Sequence, residues 1–313
     1  MPRILYFNHD NPNPSGGVRT IYTHVRHLVR NGLPAFVVHG YPQISPRWFN
    51  EDVPRLYLQS GLKVKPDDVV IIPEDLSSAL ESLKSIPAKK VVFCQNHFGI
   101  FAGLGQHPSW QELGIHKVFC CSDVVADFLR TNLGWQDVPV VHCAIDHSLF
   151  RPASKLLQIA CMPHKRRLEA DFVLKLTHRL LGNPADIGWA WLDGASEKDV
   201  ARVLAESAIY LSMSHLEGLG LPPLEAMASG CVVVGFHGYG GLEYATPQNG
   251  LWCEEGNPVA CAHMLKRAVD LVRQRSHEMQ QLVDNGLRTA SCYTLQRQEQ
   301  ELLRFMRTML DSG

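Results

Sequence analysis

The short apolar run Ile209-Tyr210-Leu211-Ser212 leads within a few residues into Ser214-His215-Leu216-Glu217-Gly218-Leu219-Gly220-Leu221-Pro222-Pro223-Leu224-Glu225-Ala226-Met227-Ala228-Ser229-Gly230. This order predicts a buried strand, a glycine-rich loop and a helix opened by two prolines. Proline suits the first turn of a helix, where a missing N–H costs nothing, and glycine lets the backbone pass close to a ligand. A helix N-terminus facing such a loop favours anions, and open α/β sheets bind ligands at the carboxyl ends of their strands. Glu217 in the loop and Glu225 inside the helix place two carboxylates at that edge.

The rest of the chain repeats the alternation of strand and helix. Strands are predicted at Ile4–Asn8, Ala35–His39, Val69–Pro73, Lys90–Cys94, Val118–Ser122 and Val138–Val141. After the first strand come the turn-rich His9–Gly17 and an amphipathic helix that ends near Asn31-Gly32, with Val18, Ile21, Tyr22, Val25, Leu28 and Val29 at helical spacing. A further helix is read over Leu76–Leu83. The pattern changes near Asp146–Pro152 and restarts with a strand at Lys155–Ala160. Then come a helix over Arg167–Leu181, a strand at Gly188–Leu192, a helix over Ser196–Glu206, the Glu217/Glu225 unit and a strand at Cys231–Gly235. Helices over Val259–Arg275 and near Thr294–Leu310 complete the reading, which predicts parallel, doubly wound sheets.

A chain of 313 residues suits two domains of about 150 residues each. Apolar residues make up 45% and charged residues 19%, which implies a globular chain without disordered tracts. The formal net charge of -1 gives no electrostatic case for nucleic acid as a partner. The N-terminus lacks the apolar segment of a signal peptide, and no apolar run approaches the roughly 20 residues that span a bilayer. The nine cysteines sit in apolar contexts without paired zinc-ligand spacing, so they read as reduced core thiols of a cytoplasmic protein.

The stretch around Glu217 and Glu225 resembles the ExxxxxxxE signature of retaining, nucleotide-sugar-dependent glycosyltransferases of the GT-B fold, family 4-like and of the glycosyl transferases group 1 type. The segment Ala144–Pro152 resembles the interdomain segment of the same family. This resemblance implies two Rossmann-like domains facing a cleft. Residues 1–150 would form the N-terminal, acceptor-side domain and 151–290 the nucleotide-sugar-binding domain, with 291–313 a helix packing back on the first domain. The first domain is short for such a family, chiefly between Tyr41 and Lys90.

Carried over residue by residue, the resemblance implies that Glu217 meets the donor sugar and Glu225 the nucleotide ribose, with Gly218, Leu219, Gly220 and Leu221 lining the donor. Lys165 and Arg166 would face the diphosphate, although Met162-Pro163-His164-Lys165-Arg166-Arg167 departs from the family's usual spacing of cations. Gly16 and Gly17 resemble the N-terminal glycine loop, and Gly238, Gly240 and Gly241 the second one. His97 is the expected catalytic group of the first domain, with Asn96 and Gln95 as alternatives. No DxD-like acidic pair stands at a strand end, so no metal and no cofactor are expected. The co-substrate is a nucleotide-diphosphate sugar, with UDP or GDP favoured, and the acceptor a glycan, lipid or small molecule. Arg19, Arg26, His27 and Arg30 on the first helix read as an ordinary solvated face in preference to a peripheral membrane contact. Two other classes share the features: a sugar-nucleotide epimerase of the same fold, and a non-catalytic nucleotide-sugar-binding subunit. NAD chemistry is disfavoured, since the first loop has no GxGxxG.

Overall fold

The computed structural model describes residues 2–42, 46–49 and 52–311. Of the short 41–90 region, residues 43–45, 50 and 51 lie outside the described residues. The chain divides into two compact units, one formed by Met1–Ala144 with Gln296–Gly313 and the other by Ile145–Leu295.

The first unit runs β1 (Ile4–Phe7), α1 (Gly16–Arg30), β2 (Ala35–His39), β3 (Arg55–Tyr57), β4 (Val69–Pro73), α2 (Ser77–Ser82), β5 (Lys89–Cys94), α3 (Ile100–Leu104), β6 (Lys117–Cys120) and α4 (Asp123–Leu133). Its strands form one sheet in the order β3-β2-β1-β4-β5-β6, every adjacent pair parallel. All residues of β1 and β4 are buried, as expected for strands covered on both faces, which is why they read as unbroken apolar runs. Helix α1 starts where the Ser15 hydroxyl accepts the Val18 amide, and it buries Val18, Ile21, Tyr22, Val25 and Leu28 against the sheet side.

The second unit runs β7 (Leu156–Cys161), α5 (Arg167–Leu180), β8 (Gly188–Trp191), α6 (Glu197–Glu206), β9 (Ser207–Glu217), α7 (Leu221–Ala228), β10 (Val232–Tyr239), β11 (Leu251–Trp252), α8 (Pro258–Arg273) and α9 (His277–Ala290). Its five parallel strands lie in the order β11-β10-β9-β7-β8. Ile159, Ile209, Leu211, Val232, Val234 and Phe236 from the strands meet Val173, Leu265 and Val269 from the helices in one core. The last helix, α10 (Leu295–Asp311), belongs almost wholly to the first unit, where Phe305 packs on Phe119 with ring centroids 4.5 Å apart. There Glu301 accepts from the His142 amide at 2.8 Å; burial works to raise its carboxyl, but the His142 side chain and amide and the Arg297 side chain together bring it down to about 2.

Some sequence readings need correction. The expected strand at Val138–Val141 reduces to a single bridge between Cys120 and Val140, because Pro139 has no N–H to extend a ladder. The units divide at 144/145 rather than at 150, since Ile145 pairs with Thr294 and the turn 146–150 stays with the second unit. Strands β3 and β11 and helix α9 were not foreseen.

Candidate active site

The sequence places Glu217 in a loop. Instead it is the last residue of β9, because pairing with β10 persists as far as Tyr239 opposite Glu217, past an irregularity between His237 and Tyr239. At this end of the ladder two bulky residues adopt the left-handed region: Leu216 with φ of 49° and Tyr239 with φ of 66°. Such backbone costs about 1–3 kcal/mol per residue and persists only where the surroundings dictate it. The surroundings here are two glycine loops in direct contact. A Cβ on Gly240 would stand 2.6 Å from the carbonyl oxygen of Glu217 and from the Leu219 nitrogen. Only glycine allows that approach, and it fixes the backbone that presents Glu217. The Gly220 carbonyl accepts the Tyr244 hydroxyl at 2.7 Å, which ties the entry of α7 to the same loop.

Lys165, in the turn between β7 and α5, reaches this strand end. Its ammonium lies 2.8 Å from Glu217 Oε1 and donates to the His215 carbonyl at 3.2 Å. Both side chains are partly exposed, at 42% for Lys165 and 24% for Glu217, so the pair can be reached by a ligand. Its neighbour Arg166 behaves differently. That side chain is only 5% exposed, and its guanidinium lies 4.5 Å over the Phe236 ring. It donates to Glu169 at 3.0 Å, to His215 Nδ1 at 2.8 Å and to Glu255. Glu255 is a residue that sequence reading overlooked, and nothing in its local sequence marks it.

Glu225 is buried on α7, one turn into the helix, among Leu221, Leu224 and Ala226. Leu219 and Leu221 are also buried, so the loop offers a ligand its backbone and the carboxylates more than its apolar side chains.

In the first unit, Gly16 and Gly17 are the first residues of α1, and a Cβ on Gly17 would lie 3.3 Å from the Gln95 amide group. His97 follows β5 in a single helical turn, His97–Gly99, stacked on Phe128 with ring centroids 4.7 Å apart. Burial holds its pKa below the ordinary histidine value, and its buried Nδ1 has no partner among the described residues. A second overlooked residue organises this loop. Glu74, directly after β4, accepts the Gln95 and Asn96 amides, both at 2.8 Å. Burial pushes its carboxyl up to about 8, the Asp75 charge adds to that, and the amide donors oppose it. A carboxylate immediately after a fully buried strand was the available signal.

Residues 179–285, which include Glu217, Glu225 and Glu255, match the family described as glycosyl transferases group 1. A curated relative, an alpha-1,6-glucosyltransferase of Actinobacillus pleuropneumoniae, is 27% identical over 98% of this chain and 95% of its own length. Sucrose-phosphate synthase from Thermosynechococcus elongatus superposes with a TM-score of 0.74 at 10% identity, covering 100% of both chains. Anabaena HepE, solved in complex with UDP-glucose, superposes with a TM-score of 0.64 at 14% identity over 98% of this chain and 100% of its own. The chain has the GT-B fold, and residues 179–285 of its second unit match the glycosyl transferases group 1 family.

Proposed function

We propose that the chain is a retaining, metal-independent glycosyltransferase that moves a hexose from a nucleoside diphosphate donor, UDP or GDP, to a hydroxyl of a glycan, lipid or small molecule in cytoplasmic polysaccharide assembly. The observation that carries the reading is the Lys165–Glu217 pair at 2.8 Å, presented at the carboxyl end of β9 by two interlocked glycine loops. Breaking a glycosyl–phosphate bond builds positive charge on the sugar and negative charge on the departing diphosphate. Glu217 is suited to the first and Lys165 to the second. An ammonium has three N–H donors, of which Glu217 and the His215 carbonyl take two, leaving one for a phosphate oxygen. A glucosyl donor is favoured by the name of the Actinobacillus relative and by the UDP-glucose held by HepE.

Glu225 is assigned to the ribose hydroxyls. In the first unit the same reading gives Gly16, Gly17 and His97 donor-facing roles. No strong protein base is required if the leaving phosphate takes the acceptor proton. Among the described residues no helix is long and apolar enough to cross a membrane.

Two results test this assignment. Glu225→Ala should weaken binding of the preferred nucleoside diphosphate by about 1.5–3 kcal/mol, the worth of hydrogen bonds to a charged group, and calorimetry with unchanged affinity would remove Glu225 from the site. Transfer should also persist in excess chelator. Activity lost there and restored by magnesium or manganese would show that a metal meets the diphosphate charge.

A further inference from the structure

Glu255 lies in the short loop after β11, outside the glycine loops, yet its carboxylate contacts the end of β10 and the Lys165 turn directly, and the end of β9 through Arg166. Its Oε1 accepts the Gly238 amide at 2.7 Å and lies 3.5 Å from His237 Nδ1, while its Oε2 takes the Arg166 guanidinium. Through that guanidinium it is joined to His215, two residues before Glu217 on β9, and to Glu169 on α5. Glu255, 13% exposed, thus brings the loop after β11 against the end of β10 and the Lys165 turn, and Arg166 extends the contact to the end of β9. A buried guanidinium needs opposite charge, which Glu255 and Glu169 supply; Nη1 donates to Glu169 and Nη2 to Glu255 and His215, while the buried Nε has no partner among the described residues. That leaves Arg166 committed inside the protein, with Lys165 as the more exposed of the two cations.

We propose that Glu255 is a positioning residue of the donor site. It clamps the Lys165 turn and the Gly238–Gly241 loop around Glu217, and Arg166 serves as the cross-member of that clamp instead of as a phosphate ligand. The proposal rests on the glycosyl-transfer reading for its catalytic consequence, while the clamp is a statement about geometry alone. The sequence pattern around Glu217 requires nothing of residue 255. The dependence arises because β11 pairs beside β10 and delivers its following loop to the strand end. A displacement of about 1 Å at a reacting group can cost as much as 10²-fold in rate, so a clamp of this kind acts on turnover without touching substrate.

The test compares Glu255→Gln, Glu255→Ala and the double variant Arg166→Met/Glu255→Met with the wild type by amide hydrogen exchange, donor kinetics and binding of free nucleoside diphosphate. Glu255→Ala should speed exchange in the segments 214–218 and 237–241 by about tenfold or more while the β9 core at Ile209–Leu211 keeps its protection. Turnover should fall by about tenfold or more, with nucleotide affinity within about threefold of wild type. Glu255→Gln, which keeps an acceptor for Gly238, should recover part of the loss. Unchanged exchange in both segments, or protection lost evenly through the second unit, overturns the clamp. A wild type that transfers no sugar, combined with faster exchange confined to segments 214–218 and 237–241 in Glu255→Ala or the double variant, overturns the glycosyl-transfer reading and leaves the clamp standing.

Discussion

Glu217→Gln should lower turnover by something like 10² to 10³, or roughly 2.7–4 kcal/mol of barrier, while free nucleoside diphosphate binds almost as before. The amide keeps the shape of the side chain and much of its hydrogen bonding, and removes the negative charge that favours a sugar ring growing positive. The backbone presenting it should not move, because the Leu216 and Tyr239 conformations and the Gly240 contact do not involve the carboxylate. The loss should therefore appear in kcat, with donor KM little changed, the pattern of an interaction made chiefly in the transition state. Lost nucleotide affinity with normal turnover at saturating donor would mean that Glu217 and Glu225 have been given each other's roles. Wild-type values for both would leave the motif a structural cap.

Lys165→Met should cost a comparable factor, about 10² to 10³ in kcat/KM, through both donor affinity and turnover. Its ammonium is assigned to charge that is already present on the bound diphosphate and grows as the bond breaks. Folding should hardly suffer, since an ion pair this exposed is worth about 0–1 kcal/mol. The melting temperature of the variant thus separates loss of the site from loss of the fold. Normal kinetics in Lys165→Met would move the phosphate site elsewhere in the second unit.

The strands legible in the sequence carry runs of largely apolar residues, whether wholly buried like β4 or partly exposed like β8. Val69–Pro73 and Ile209–Ser212 read as strands because they are short, largely apolar runs, and every residue in them is buried. β3, three half-buried residues Arg55–Tyr57, has no such run, and β11 has only two residues. Helix α9 was hidden by Asn285-Gly286 in its middle, which reads as a break. A Cβ on Gly286 would lie 3.2 Å from Met227 Cγ, so this glycine lets α9 settle against α7, a requirement set by tertiary packing.

The same division runs through the site. Glu217, Glu225 and the glycines could be read because loop, prolines and helix are contiguous in the chain. The pairing of Lys165 with Glu217 needed β7 to lie beside β9, and the burial of Arg166 depends on Phe236, Glu169 and Glu255 from three other segments. Contacts assembled by strand order leave little local trace. For that reason two adjacent cations that look equivalent in sequence differ in the structure, Lys165 partly exposed and Arg166 enclosed.

The most direct test of the whole account is to incubate the protein with UDP-glucose and a panel of hydroxyl acceptors, and with the GDP donor in parallel, following nucleoside diphosphate release and the anomeric proton of the product by nuclear magnetic resonance. The account predicts release that depends on acceptor and a product whose anomeric configuration is that of the donor. An inverted product would contradict retention, and nucleotide release from none of the donors with any acceptor would contradict glycosyl transfer itself.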